Sequence, residues 1–321
     1  MLLALAVTPA PVDPASALEI VATGVPRPLQ LVVVDDALIV LSPGRGDDSA
    51  GEIYRVDLGG ELPVDLARLP RVRIPFVDDR MATLGSLARD PRTRALFLGE
   101  ENGTRVYRLT ENERLTLYAS GLHRLAGGST IAFDGLGRLV IVDYADPVLS
   151  QADERPPPGL EQFRDEDYRG PLVFRLTPDA AIPLPRRLSR LAPLFPRAWG
   201  GRSGGALLPK LISVVPVGAE ELVVLTSSGD LLRLTGAGTL APFARLPRGQ
   251  YNRTHMVAAP DGTILISGGF HVGRIFRVTP DGTVTVVATN LADPEGIALD
   301  ARGHLYVAES SFHRIVRLRA R

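Results

Sequence analysis

Apolar and polar positions along the chain repeat in a pattern that occurs six times: two apolar residues, an arginine and another apolar residue. A short, continuous apolar run, such as residues 139–142, precedes each copy and is typical of a buried inner strand. The fixed place of the arginine indicates that it lies on an outer strand and pairs with a neighbouring carboxylate or carbonyl group. The six arginines are Arg55, Arg108, Arg175, Arg233, Arg277 and Arg317.

Each unit also contains an apolar stretch before the inner run, and most contain another after the arginine, such as residues 284–289. We therefore letter four strands A to D in chain order. The last unit lacks strand D, whereas residues 17–25 form a spare strand before the first unit. The pattern predicts an all-β, six-bladed β-propeller with four-stranded blades, whose ring is closed by its N-terminal strand.

Length and composition fit one large domain. A chain of 321 residues exceeds the usual size of one domain, and the repeat explains the excess. We assign the propeller to residues 17–321. Residues 1–16 are predicted to be a leader or linker, because an apolar start gives way to a proline-rich stretch. This start predicts a periplasmic or secreted protein, with a cytoplasmic location as the alternative.

The composition excludes several classes of partner and site. A net charge of zero argues against nucleic acid, whose phosphates attract basic proteins. The absence of cysteine excludes disulfides and thiolate metal sites. No segment approaches the ~18–20 apolar residues that a membrane span requires. The remaining expectation is a monomer whose partner is a small-molecule ligand or substrate.

Strand A begins and strand B ends on one face of a blade, beside the central channel, and we call this the upper face. Polar residues occupy these positions although they adjoin apolar runs. Glu100, Asp143, Glu295 and Glu309 are predicted to converge there with His255. Because Ca²⁺ takes about 6–8 oxygen ligands, the four carboxylates are predicted to hold a divalent metal, with Ca²⁺ favoured.

Some of these residues also have structural interpretations. Glu309 could hold strand ends together between blades, Asp143 could belong to a turn, and His255 could be a hydrogen-bonded core histidine. If the site is catalytic, we expect Glu295 to act with the metal and His255 to serve as a base or an orienting group.

Three long connections, at residues 71–83, 144–170 and 186–209, are predicted to rise around the channel mouth on the upper face. Long loops in compact domains often form lids over functional sites. Five residues are predicted to line the ligand site below or within these loops: Gln30, Ser129, Tyr144, Tyr168 and Trp199.

Residues 293–300 (DPEGIALD) and 303–309 (GHLYVAE) resemble the NHL-repeat and senescence-marker/gluconolactonase class of six-bladed propellers. In the gluconolactonase-like members, a Glu, an Asn and an Asp from different blades hold a divalent metal. The corresponding positions here fall near Gln30, Ser213 and Thr254-His255, so this sequence departs from that ligand set. Glu295 has suitable chemistry but lies in the sixth blade.

Three functions follow from the resemblance and from the polar residues of the upper face. The first is a metal-dependent hydrolase of a lactone or ester, and the second is a non-catalytic propeller that binds a ligand or a protein. The third is an oxidoreductase that uses a quinone cofactor, for which the sequence contains no matching cofactor motif.

Overall fold

The structure is a computed structural model of the chain. It describes residues 18–43, 49–76, 82–101, 103–122, 125, 127–143, 171–177, 183–188, 191–195 and 211–318. The predicted leader and the insertion at 144–170 lie outside these residues. The described part contains strands and short 3-10 turns but no α-helix. No helical segment in it is long and apolar enough to cross a membrane.

The strands form six sheets around a central channel, as the repeat predicts, and the strands within each blade pair in antiparallel fashion. Blades one to three correspond to the first three repeat units. In each blade the strands follow one another outward from the channel in chain order. Blade one contains β2 (Gln30–Val34), β3 (Ala37–Ser42), β4 (Gly51–Asp57) and β6 (Arg71–Ile74); blade two contains β7 (Leu84–Arg89), β8 (Leu96–Glu100), β9 (Val106–Leu109) and β10 (Leu115–Ser120); blade three contains β11 (Ile131–Phe133), β12 (Leu139–Asp143) and β13 (Leu172–Leu176).

The last three blades follow the same plan and complete the ring. Blade four contains β15 (Leu211–Pro216), β16 (Leu222–Thr226), β17 (Asp230–Leu234) and β18 (Leu240–Arg245); blade five contains β19 (Met256–Ala258), β20 (Ile264–Ser267), β21 (Ile275–Val278) and β22 (Val284–Ala288); blade six contains β23 (Pro294–Leu299), β24 (Leu305–Glu309), β25 (Arg314–Leu318) and β1 (Glu19–Thr23).

The N-terminal strand closes the ring, so the predicted closure is confirmed. Strand β1 pairs with β25 in antiparallel fashion, with Glu19 opposite Arg317 and Thr23 opposite Arg314. Its other edge pairs in parallel with β5 (Val64–Asp65), a two-residue strand from blade one. Both edges of β1 are therefore hydrogen-bonded, which removes the unpaired edge that a last blade of three strands would expose.

The core lies between neighbouring blades. Strand B of each blade is almost entirely buried because its two faces pack against the sheets on either side. Between blades two and three, the Phe97 ring lies edge-on to Tyr118 at 4.8 Å and to Phe133 at 5.1 Å. Such contacts add about 0.5–1.5 kcal/mol each to the burial of the rings.

Four of the six repeated arginines contact the predicted type of partner. Arg175 lies 3.2 Å from Asp134, Arg233 lies 2.8 Å from Glu221 and Arg277 lies 3.7 Å from Asp261. Arg317 lies 2.7 Å from Glu19 in the closing strand. These pairs agree with the interpretation of the repeated arginine as a structural residue of the outer strands.

Two of the predicted insertions contain regular structure, so those predictions were wrong in part. Residues 71–74 form β6, the outer strand of blade one; its alternating Arg-Val-Arg-Ile sequence lacks the continuous apolar run of an inner strand. Residues 186–187 form β14 (Arg186–Arg187), which pairs in parallel with β10 of blade two. Residue Phe195 makes an isolated antiparallel bridge with Val173 of blade three.

Strands β5 and β14 arise from a second, shorter repeat. A leucine–proline pair precedes each strand, and a fully buried leucine, Leu66 or Leu188, follows it. In both cases the segment extends the outer edge of the preceding blade by one strand. The segments at 64–65 and 186–187 therefore link adjacent blades on the outside of the ring.

Candidate functional site

Polar side chains surround the channel at the upper face, and nearly all of them are buried. They occupy the beginnings of strand A and the ends of strand B, where the two strands of each blade approach the channel. The buried set is Gln30, Ser42, Ser86, Glu100, Ser129, Thr130, Asp143, Ser213, Thr226, Thr254, His255, Ser267, Glu295 and Glu309. Because burial of a polar group costs free energy unless it has a partner, each contact in this set matters.

Three of the predicted residues are joined by hydrogen bonds across the channel. The Gln30 amide Nε2 donates to Ser129 Oγ at 3.4 Å, and Ser129 Oγ lies 2.9 Å from His255 Nδ1. If Ser129 Oγ accepts from Gln30, its own proton points to His255, which places the imidazole proton on Nε2. The chain of bonds connects blades one, three and five.

His255 is a neutral residue in this environment. Burial, followed by the positive charge of Arg253, lowers the pKa of His255 from 6.5 to about 3. Protonating the imidazole at pH 7 would thus cost about 5 kcal/mol. A histidine of this kind is a weak proton acceptor, so of its two predicted roles the geometry favours orientation over catalysis as a base.

Glu295 is the least satisfied carboxylate at the upper face. Its side chain is 1% exposed, and Oε1 accepts a hydrogen bond of 2.8 Å from Ser310 Oγ. Oε2 is buried and has no hydrogen-bond partner among the described residues. Burial raises the pKa of Glu295 from 4.5 to about 7, although Arg253 and Ser310 oppose the shift. The group therefore exchanges its proton near neutral pH.

Arg253 lies between two carboxylates at the channel mouth. Its Nη2 is 2.8 Å from Glu101 Oε1, and its Nη1 is 3.8 Å from Glu295 Oε1. The longer distance is a Coulombic contact rather than a hydrogen bond. Gly127 leaves room for this arrangement, because a Cβ there would lie 2.7 Å from Glu101 Oε1 and 2.8 Å from Arg253 Cγ.

Glu100 and Glu309 form contacts within their own blades. Glu100 accepts hydrogen bonds from the Tyr107 hydroxyl at 2.6 Å and the Thr104 N–H at 3.0 Å. Glu309 accepts from the backbone N–H of residue 292 at 2.9 Å and from Arg314 Nε at 2.5 Å. Asp143 is fully buried at the end of β12 and has a partner of its own. Glu309 thus holds strand ends together, as its structural interpretation has it, but within blade six and not between blades.

The described residues do not fit a divalent metal at the upper face. They contain no group of three or more His, Asp or Glu side chains that could hold a metal ion. The guanidinium of Arg253 already places a positive charge against Glu101 and Glu295. The predicted ligand roles of Glu100, Asp143, Glu295 and Glu309 remain predictions, and the described geometry does not support them.

Arg253, Glu101 and Ser310 are site residues that the sequence analysis missed. Glu101 directly follows Glu100, and successive residues of an extended chain point to opposite sides; Glu100 turns into its blade while Glu101 reaches Arg253. Arg253 directly precedes the predicted Thr254-His255 pair. For Glu101 and Arg253 the signal was a charged residue next to a predicted polar position, and Ser310 directly follows the predicted Glu309. Tyr144, Tyr168 and Trp199 lie outside the described residues.

Backbone strain is concentrated near the same site. Nine described residues other than glycine have positive φ, and six of them lie in upper-face loops that flank strands of blades five, six and one. Left-handed φ costs about 1 kcal/mol or more in a side-chain-bearing residue, and such positions are enriched at functional sites. The six residues are Arg27, Arg253, His271, Asn290, Asp293 and His313.

Two surface cavities lie away from this site. One of about 490 Å³ opens between blades one and two, above an apolar floor that includes Ile39 and Leu96. Another of about 540 Å³ lies beside blade three and is bordered by Arg175 and Pro185. Neither is lined by a residue of the channel mouth. The buried group that is able to transfer protons is therefore separate from both cavities.

Fold and site together define a six-bladed β-propeller with a buried, titratable carboxylate at its channel mouth. The NHL repeat family matches residues 291–318, which cover most of blade six. No curated protein sequence matches the chain. The NHL resemblance is thus located in the blade that contains Glu295.

Solved structures share the fold over nearly the whole chain. Virginiamycin B lyase from Staphylococcus aureus is 13% identical, with a TM-score of 0.55 over 95% of this chain and 98% of that one. A gluconolactonase from Xanthomonas campestris is 15% identical, with a TM-score of 0.57 over 93% and 86%. Regucalcin from Agrobacterium tumefaciens, described as a calcium-binding protein, is 11% identical, with a TM-score of 0.59 over 94% and 93%. At these identities the likeness shows the fold alone.

Proposed function

We propose that this propeller is an acid–base enzyme that opens a lactone or ester at its channel mouth, with Glu295 as the proton-transfer group. The observation that carries the proposal is the state of Glu295: buried, with a pKa of about 7, and with an unpartnered oxygen. A general base works best when its pKa lies near the working pH. Structural neighbours that are a lyase and a gluconolactonase agree with this class of chemistry.

Arg253 supplies the second function that acyl chemistry needs. Nη1 makes no hydrogen bond to Glu295 at 3.8 Å, so it is able to donate to the carbonyl oxygen of a ligand. The Arg253 side chain is 24% exposed whereas Glu295 is 1% exposed, so an incoming ligand meets the guanidinium first. A fixed donor of this kind stabilises the charge that develops on the carbonyl oxygen.

The proposed reaction balances with water alone. Glu295 takes a proton from water, and the water oxygen bonds to the carbonyl carbon while Arg253 stabilises the oxyanion. The bond from the carbonyl carbon to the ring or ester oxygen then breaks, and the proton passes from Glu295 to that oxygen. The products are a hydroxy acid from a lactone, or an acid and an alcohol from an ester.

We expect this chemistry to proceed without a resident divalent metal. Arg253 occupies the space between Glu101 and Glu295 and supplies the positive charge that a cation would bring. This replaces the Ca²⁺-dependent form of the hydrolase that the sequence favoured. Treatment with a chelator should leave both turnover and melting temperature unchanged, whereas loss of turnover that added Ca²⁺ restores would contradict the expectation.

Hydrolysis of dihydrocoumarin by the wild-type chain and by Glu295→Gln tests the proposal. Removing the base should lower kcat/KM at least about 100-fold. The wild-type rate should rise with pH and level off above a midpoint near 7, the value for Glu295. Glu61→Gln, an exposed carboxylate, is the control. Equal rates in wild type and Glu295→Gln, or a flat wild-type profile, would overturn the proposal.

The alternative is a non-catalytic propeller that binds a small molecule at the same place. The Arg253–Glu101 pair and the hydrogen bonds of Gln30, Ser129 and His255 would then hold the binding surface in shape. Binding of a lactam isostere without turnover of the corresponding lactone would favour this alternative.

A further inference from the structure

Two neighbouring loops on the upper face contain the same exposed dipeptide. Phe270-His271 lies between β20 and β21 of blade five, and Phe312-His313 lies at the equivalent place between β24 and β25 of blade six. All four side chains are exposed, and the two phenylalanines are 37% and 59% exposed. No other aromatic side chain in the described part of the chain is exposed. Exposing two phenylalanines to water is unfavourable unless something covers them.

The backbone holds both dipeptides in strained conformations. His271 has a φ of 70° and His313 a φ of 52°, both in the left-handed region. Asp293, at the start of blade six, has a φ of 48°. Residues with side chains pay about 1–3 kcal/mol each for such conformations. Three of them in adjacent loops indicate that the shape of this surface is imposed by the fold.

One carboxylate fastens the two loops together. Asp293 Oδ1 accepts a hydrogen bond of 2.9 Å from the His271 N–H, and Oδ2 accepts one from Ser311 Oγ. Each phenylalanine adjoins one of these donors in sequence, so Asp293 connects the two loops that contain them. We call this surface, formed by Phe270, His271, Phe312 and His313, the aromatic rim.

The turn that carries Phe312 is hydrogen-bonded to the candidate site. Ser310 begins the 3-10 turn that carries Phe312, and its hydroxyl contacts both Glu295 Oε1 at 2.8 Å and the Asp293 carbonyl oxygen at 3.2 Å. The guanidinium of Arg314 lies 4.9 Å from the centre of the Phe312 ring, on its face. Ser310 therefore joins the turn that carries Phe312 to the carboxyl group of Glu295.

We propose that the aromatic rim is the specificity subsite of this protein, and that it binds an aromatic ring attached to the lactone or ester. The inference rests on the proposed function where it concerns hydrolysis of the acyl group, whereas binding of the aromatic ring is independent of it. Aromatic rings pack well against phenylalanine edges and faces, gaining about 0.5–1.5 kcal/mol per pair beyond area burial. The preferred substrate is then an aryl-substituted or aryl-fused lactone or ester.

Binding of two stable lactams separates ring recognition from catalysis. 3,4-Dihydro-2-quinolinone carries a fused aromatic ring, and δ-valerolactam has the same amide ring without it. By isothermal titration calorimetry, the aromatic lactam should bind the wild-type chain roughly tenfold more tightly, the gain expected from one or two aromatic contacts. Equal affinity for the two lactams would overturn the proposal.

Variants of the rim locate the preference. Phe312→Ala and Phe270→Ala should each weaken the aromatic lactam by about three- to tenfold while leaving δ-valerolactam unchanged. Leu136→Ala is the matched control, because Leu136 is a 52%-exposed apolar residue in the turn between β11 and β12 on the opposite face. An equal loss for both lactams, or the same loss in Leu136→Ala, would contradict the assignment.

The lactones give the second readout. The ratio of kcat/KM for dihydrocoumarin to that for δ-valerolactone should fall in Phe312→Ala by the factor seen with the lactams, mainly through KM. If the aromatic lactam binds the rim but neither lactone is hydrolysed, the subsite holds and the proposed reaction fails. If both lactones are hydrolysed but the ratio does not change in the variants, the subsite fails and the reaction holds.

Discussion

Glu309 and Glu295 are two buried carboxylates of blade six, and each lies beside an arginine, yet their surroundings differ. Glu309 is fully buried, and both its oxygens accept hydrogen bonds, one from Arg314 and one from the backbone of residue 292. Glu295 uses one oxygen on Ser310 and leaves the other without a partner, while Arg253 stays at 3.8 Å. The strand register places Glu309 opposite Pro294, the residue before Glu295.

The comparison teaches that burial alone does not make a functional carboxylate. A buried charge that is hydrogen-bonded on every side acts as part of the scaffold. A buried carboxyl that lacks one partner holds its proton to near neutral pH and has an oxygen left for a ligand. Within a single blade, the missing hydrogen bond is what distinguishes the candidate site from a structural contact.

The largest effect should follow from a substitution of Glu309, the structural carboxylate of the two. Glu309→Gln leaves the guanidinium of Arg314, 27% exposed, without its carboxylate in a buried setting. We expect the free energy of unfolding to fall by roughly 3–4 kcal/mol, the lower part of the range for a broken buried pair. Urea denaturation at pH 8 measures it. A loss below about 1 kcal/mol would show that Glu309 is not a scaffold residue.

The sequence was enough to predict the scaffold. Six arginine patterns, the inner apolar runs and the spare strand at residues 17–25 together required a closed ring of six blades. Outer strands were harder, because β6 alternates charged and apolar residues and has no continuous run. The parallel strands β5 and β14 are only two residues long, too short to show any periodicity.

The candidate site was predictable only to within one residue. Strand order placed Glu295 and His255 at the channel mouth, since it depends only on where strands begin. Which of two adjacent residues faces the channel depends on the local register and on the shape of the loop. These features determine that Glu101, and not Glu100, contacts Arg253. The left-handed φ of Arg253 has no sequence signature in a residue other than glycine.

The second prediction concerns Glu295, whose substitution should change the free energy of unfolding in the opposite direction. Glu295→Gln replaces a buried group that the folded state must ionise, so the variant should be more stable than wild type at high pH. The pKa is about 7 when folded against 4.5 when unfolded. The gain should reach about 3 kcal/mol above pH 7, at about 1.4 kcal/mol per unit of pKa.

The sign follows from proton counting. Between pH 4.5 and 7 the folded wild type binds more protons at Glu295 than the unfolded chain does, so wild-type stability falls as pH rises. His255 has the reverse dependence, because its pKa is lowered to about 3 and acid favours the unfolded state below pH 6.5. Since both proteins contain His255, its effect cancels in the difference. A difference that stays constant from pH 4.5 to pH 8 would contradict the raised pKa of Glu295.

The smallest effect on stability is expected at Glu19, a third carboxylate of blade six. Unlike Glu309 and Glu295, it belongs to an ion pair that is partly exposed. Glu19 of β1 accepts from Arg317 at 2.7 Å, but the two side chains are 32% and 18% exposed. Strand β1 is also held on both edges by backbone hydrogen bonds to β25 and β5. Glu19→Gln should therefore lower the free energy of unfolding by only about 0.5–1 kcal/mol, with less effect in high salt.

Urea denaturation at low and high ionic strength measures this, with Glu61→Gln as the control. A loss as large as that of Glu309→Gln would mean that ring closure depends on this ion pair rather than on the paired strands, and that partial exposure does not weaken a carboxylate–arginine contact in this blade.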